Sequence, residues 1–79
     1  MSPTVLRLGP YRLFFFSNEG TEPAHIHVQR DRKLAKFWIA PVNLAGSTGF
    51  SPRELRKVEV MVAENRERLL EAWNEHFST

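Results

Sequence analysis

Two periodicities divide the chain. From Thr4 to Ile39 apolar and polar residues tend to alternate, whereas after Ser51 apolar residues recur every three or four positions. The first pattern predicts strands, at Thr4 to Leu8, Tyr11 to Phe16, His25 to Arg30 and Leu34 to Ile39. Turn-forming residues separate them: Gly9-Pro10, Ser17-Asn18-Glu19-Gly20 and Asp31-Arg32-Lys33, with a loop from Thr21 to Ala24 fixed by Pro23. Pro41 is expected to stop the last strand, and Val42 to Phe50, with Gly46 and Gly49, reads as a connection. A helix then starts on three signals: Ser51 as N-cap, Pro52 at the first helical position, and Glu54 completing a capping box. Leu55, Val58, Met61, Val62, Leu69, Ala72, Trp73 and Phe77 form its apolar stripe. Asn65-Arg66-Glu67-Arg68 interrupts the stripe without a glycine or proline to force a break. Met1 to Pro3 reads as a loose terminus. The expected fold is α+β, a single domain over residues 1–79 with an antiparallel meander of about four strands packed against one long C-terminal helix, Pro52 to about Phe77.

Strand alternation also sorts side chains by face. His25 and His27 share one face, and Ile26 and Val28 the other, which should be buried. In the preceding strand Tyr11, Leu13 and Phe15 form one row; Arg12 marks the other as more exposed, leaving Phe14 and Phe16 near the surface. If Lys36 is solvated, Trp38 joins the histidines. The open face would then carry Arg12, Phe14, Phe16, His25, His27, Gln29, Lys36 and Trp38.

Composition narrows the class. There are 79 residues and no cysteine, so a small core must hold without disulfides or thiolate-bound metal. No apolar run approaches a membrane span and no signal-peptide pattern opens the chain, so a cytoplasmic protein is the expectation. Charge is distributed unevenly. Through Val58 nine basic residues face four acidic ones, and afterwards five glutamates face two arginines, giving +5 and −3 within a net +2. A basic body with an acidic tail suits an anionic or acidic partner. Arg53, Arg56 and Lys57 cluster at the positive end of the helix dipole, which points the same way.

Several stretches together look familiar: Tyr11-Arg12 with the aromatic run to Phe16, Ser17-Asn18-Glu19, Pro23-Ala24-His25-Ile26-His27-Val28, Ala35-Lys36-Phe37-Trp38, and Gly49-Phe50-Ser51 before Glu54-Leu55. With Pro3-Thr4-Val5-Leu6-Arg7 at the start, they resemble domain-of-unknown-function family 4160 from Pro3 to Phe77. Ala24 stands where that family's motif usually has a second proline. The resemblance implies a short bacterial protein, often encoded beside a second small protein as in a toxin-antitoxin pair, with no established reaction.

Three chemistries compete for the residues. His25 and His27, about 6 to 7 Å apart at their α-carbons on an ideal strand, could both reach one zinc ion, with Glu19, Glu22 or His76 as third ligand. No spacing demands that third ligand, so the expectation is no cofactor. As free imidazoles the same pair suits acid-base cleavage of RNA, with Arg12, Arg30 or Lys36 on a phosphate and Phe14, Phe16 or Trp38 stacking on bases. A small ribonuclease or metal-dependent hydrolase is therefore the alternative reading. The leading one is a binding module: Phe14, Phe16, Trp38 and His27 as anchors, rimmed by Arg12, Arg30 and Lys36, docking a protein from a neighbouring gene and, as a further partner, RNA or DNA. The helix stripe would also serve a homo-oligomer, although such stripes are usually intramolecular core.

Overall fold

In the computed structural model, which describes residues 4–77, β1 (Thr4–Leu8), β2 (Tyr11–Phe14), β3 (His25–Arg30), β4 (Lys33–Ile39) and β5 (Val42–Thr48) precede α1 (Pro52–Glu64) and α2 (Arg66–Phe77). The strands form one antiparallel sheet in sequence order, so the α+β meander stands. The expectation for Met1 to Pro3 lies outside the described residues.

Two details of the expected fold are corrected. The sheet has five strands, because the chain reverses at Ala40-Pro41, a cis peptide, and returns as β5 along β4. Val42–Thr48 is poor in strand formers, and all but Val42 are exposed; pairing with β4 overrides weak local propensity. An irregularity opposite Lys36 and Phe37, whose partners are Gly46 and Leu44, takes up one extra residue of β5. The second correction is that the long helix is two helices. At Asn65 the side-chain amide donates to Met61 O at 2.9 Å, and the backbone N–H is shared between Met61 O and Val62 O. An amide side chain competing for helix carbonyls turns the chain without glycine or proline. Arg66 Nε then donates to Ile39 O at 2.7 Å, tying the break to the end of β4.

Boundaries shift by smaller amounts. The β3–β4 turn is Asp31-Arg32, with Asp31 at φ 54°, a left-handed conformation that aspartate tolerates. Strand β2 ends at Phe14; Phe15 drops into the core and Phe16 begins the loop.

The core lies between one sheet face and the helices. Leu13, Val28 and Ala35 stand in register across β2, β3 and β4, as do Ile26 and Phe37 across β3 and β4. Against them pack Val58 and Val62 of α1 and Leu69 and Trp73 of α2, all buried. Each buried side chain of this size contributes on the order of 1.5–3 kcal/mol. The apolar stripe survives the Asn65 break because Val62 and Leu69 are seven residues apart, close to two helical turns. Among the described residues no helix is long and apolar enough to cross a membrane.

Candidate functional site

The register settles which residues share the second sheet face. Arg12 pairs with Gln29, Phe14 with His27, His27 with Lys36, and His25 with Trp38, so these residues stand together. Arg30 does not join them. Alternation turns it to the helix side, where Nη1 donates to Glu54 Oε2 at 2.9 Å, and it drops out of the expected rim.

The loop from residue 15 to 24 folds over one end of that face. Its turn is closed by Glu19 N–H on Phe16 O at 3.3 Å and, in reverse, by Phe16 N–H on Glu19 Oε1 at 2.8 Å. That local bond brings the Glu19 carboxylate back onto β3. There Oε1 lies 3.0 Å from His25 Nε2, and both Oε1 and Oε2 lie 3.1 Å from His27 Nε2. The sequence left Glu19, Glu22 and His76 open as the group completing the pair, and only Glu19 is there. Glu22 is bonded to Lys36 at 2.7 Å, and the His76 ring packs on Phe15 and Phe77.

Both imidazoles are more enclosed than a half-buried strand suggests. His25 is 0% exposed, between the rings of Trp38 and Trp73 at 5.7 and 4.7 Å, and His27 is 8% exposed against Phe14 and Phe16. Phe14 is buried as well, under the Arg12 guanidinium 4.4 Å from its ring, whereas Phe16 remains 40% exposed. Thus the loop and Arg12 cover part of the face that the sequence leaves open.

His25 Nδ1 lies 2.9 Å from Pro23 O. A carbonyl can only accept, so the proton sits on Nδ1 and the Nε2 of a neutral ring presents its lone pair. Although Glu19 Oε1 is near, it lies off the direction of an N–H bond, and buried Nε2 has no hydrogen-bond partner. Burial works to raise the Glu19 pKa, but the Phe16 N–H together with the hydrogen bond and charge interaction of His27 outweighs it and holds the carboxyl below its ordinary value. For His27 burial dominates and lowers the pKa against the pull of Glu19.

A family model described as a domain of unknown function, DUF4160, matches residues 11–74. The chain belongs to that family. The matched span contains every strand of the sheet but β1, and it includes Glu19, His25 and His27. No curated protein and no solved structure matches the chain.

A second polar cluster was not foreseen from sequence. Glu54 was expected to close a capping box, and Ser51 Oγ does accept the Glu54 N–H at 3.1 Å. Its carboxylate instead accepts from Tyr11 Oη, Arg30 and Lys33, each at 2.9 Å. The bond from Lys33, then that from Tyr11, bring the Glu54 pKa down to about 2. The only local hint was a strand placing Tyr11 on the row that faces the helix. The distance in sequence from Tyr11 to Glu54 hid the rest.

Proposed function

We propose that this chain is a small interaction protein that docks a partner protein on the sheet face opposite the helices, as one component of a toxin-antitoxin-like pair. The observation that carries this reading is the unequal covering of the two faces. Both helices pack on one. The other is covered at one end only, by the loop and by Trp73 of α2 against His25, and it presents Phe16 and Leu34, 40% and 39% exposed, beside half-buried Arg12, Gln29, Lys36 and Trp38. Aromatic and aliphatic anchors flanked by cations and an amide have the make-up of an interface centre. Lys36 lies over the Trp38 ring at 4.6 Å, so that anchor is held in place before any partner arrives.

The rival reading, RNA cleavage by His25 and His27, has less support, because an imidazole with no exposed surface cannot touch a polymer's phosphate without the loop moving. Co-expression with the product of the adjacent gene tests the proposal. A complex is expected, and Phe16→Ser and Leu34→Ser should each weaken it by roughly tenfold. Absence of a complex, or binding of a short single-stranded RNA in its place, overturns the protein-docking reading.

A further inference from the structure

The geometry points to a divalent transition-metal site, best suited to zinc, built from Glu19, His25 and His27. Three facts carry it. First, one side-chain donor from each residue lies within 4.8 Å of the others, among the described residues the one such group of three. Zinc is held by nitrogen at about 2.0–2.1 Å and oxygen at about 2.0–2.2 Å, which for a tetrahedral ion puts ligand atoms about 3.3 Å apart. The Glu19 contacts, 3.0 Å to His25 and 3.1 Å to His27, need open by only a few tenths of an ångström to reach that separation.

Second, His25 is prepared as a ligand. Pro23 O accepts a hydrogen bond from Nδ1–H, fixing the ring and its tautomer, as a second-shell carbonyl does for metal-bound histidine. Third, the buried Nε2 has no hydrogen-bond partner. A lone pair 3.0 Å from a carboxylate oxygen, shut off from water, needs positive charge between the two atoms. A proton would supply it through an N–H···O bond, but Oε1 lies off that direction. An ion bound by both atoms has no need of such alignment, since each ligand then points at the ion and away from the other ligand.

The donor set decides the class of ion. Two imidazoles with one carboxylate suit zinc and its first-row neighbours, whereas magnesium and calcium prefer oxygen alone. Only three protein ligands converge, and Glu19 and His27 keep a little exposed surface at 13% and 10% of their side chains, so water can complete the shell from that side. Since Glu19 belongs to the loop and the histidines to β3, the ion would also pin the loop to the sheet.

The test uses untagged chain stripped by a chelator and titrated with zinc chloride alone. Expected are one zinc per chain, a raised melting temperature, and perturbed nitrogen resonances of His25 and His27 but not of His76. Glu19→Gln keeps an oxygen for the Phe16 N–H and removes the charge; it should weaken zinc binding by at least the roughly 10- to 100-fold that loss of an outer-shell partner costs. Glu22→Gln should bind as the parent chain does. The inference is overturned if the parent chain takes up no zinc, if zinc moves His76 alone, or if Glu19→Gln folds and binds zinc unchanged. Should Glu19→Gln not fold, the histidine resonances of the parent chain decide.

Discussion

Glu19 and Glu54 are both carboxylates on which three residues converge, yet the two clusters differ in what they lack. Around Glu54 stand two cations and a hydroxyl, Arg30, Lys33 and Tyr11, each donating a bond of 2.9 Å. Each donor's hydrogen bond is made, so the knot is complete and serves to fasten β2, β3 and β4 to the start of α1. Around Glu19 stand a backbone N–H and two imidazoles, one of which donates its Nδ1–H to Pro23 O and keeps an unpartnered Nε2. The same carboxylate chemistry is thus closed in one place and open in the other. An ion pair among permanent charges is architecture; a carboxylate among conditional donors is a place for something to bind.

The largest expected effect tests how firmly the open cluster is set in the core. Trp73 packs on Phe15, on Phe77 and on the His25 ring, at 5.5, 4.3 and 4.7 Å. Truncation in Trp73→Ala should cost about 3–5 kcal/mol, a large fraction of the roughly 5–15 kcal/mol that holds a small domain together. Leu69→Ala, one turn earlier in α2, should cost about 2–5 kcal/mol without loosening His25. Denaturant unfolding measures both losses. Faster amide exchange at His25 in the tryptophan variant alone would confirm that this side chain walls the site, and equal exchange in both would contradict it.

Next in size comes a crossed pair of substitutions. Glu54→Gln should lower the melting temperature of zinc-free protein more than Glu19→Gln does, and leave the response to zinc intact; Glu19→Gln should abolish that response. If both variants lose the response, the two clusters are not the independent structures described. Acid titration sharpens the contrast. Folding holds the Glu54 pKa at about 2, below its ordinary 4.5, so the carboxylate form is favoured by folding. Its contribution is complete above pH 4.5 and is lost as pH falls toward 2. Stability followed through that range should fall less steeply in Glu54→Gln, and an unchanged slope would refute the assignment.

The sequence made the helix-facing row legible because burial of one sheet face enforces strict alternation: Leu13, Ile26, Val28, Phe37 and Ile39 are where period two puts them. Alternation also gathered Arg12, Phe14, His25, His27, Lys36 and Trp38 on the second face. It failed where local pattern carries no weight. Strand β5 is an exposed edge held by pairing, and nothing in Asn43-Leu44-Ala45-Gly46 advertises it. Arg30 leaves the expected rim because alternation sets it on the row of Ile26 and Val28, and its partner Glu54 lies on that helix side. The third member of the His25–His27 cluster could be narrowed to three residues but not chosen, since the choice rests on a turn of the loop that bonds Phe16 N–H to the Glu19 side chain.

The smallest effect belongs to the helix start, where the two roles of Glu54 can be separated. In a reciprocal capping box the serine hydroxyl takes the N–H of the third helical residue, and the glutamate side chain reaches back to the serine N–H. Here only the first half is made, at 3.1 Å, because the carboxylate is engaged by Tyr11, Arg30 and Lys33. Ser51→Ala should therefore cost about 1 kcal/mol, the usual loss for an N-cap, and leave the acid titration as it was. In the double variant with Glu54→Gln the two losses should add, since the serine acts through the backbone N–H and the carboxylate acts on the sheet. A coupling between them would mean that the carboxylate returns to Ser51 in solution. The Glu54 knot would then be looser than drawn, and the distinction between a closed carboxylate and an open one would fail on the closed side.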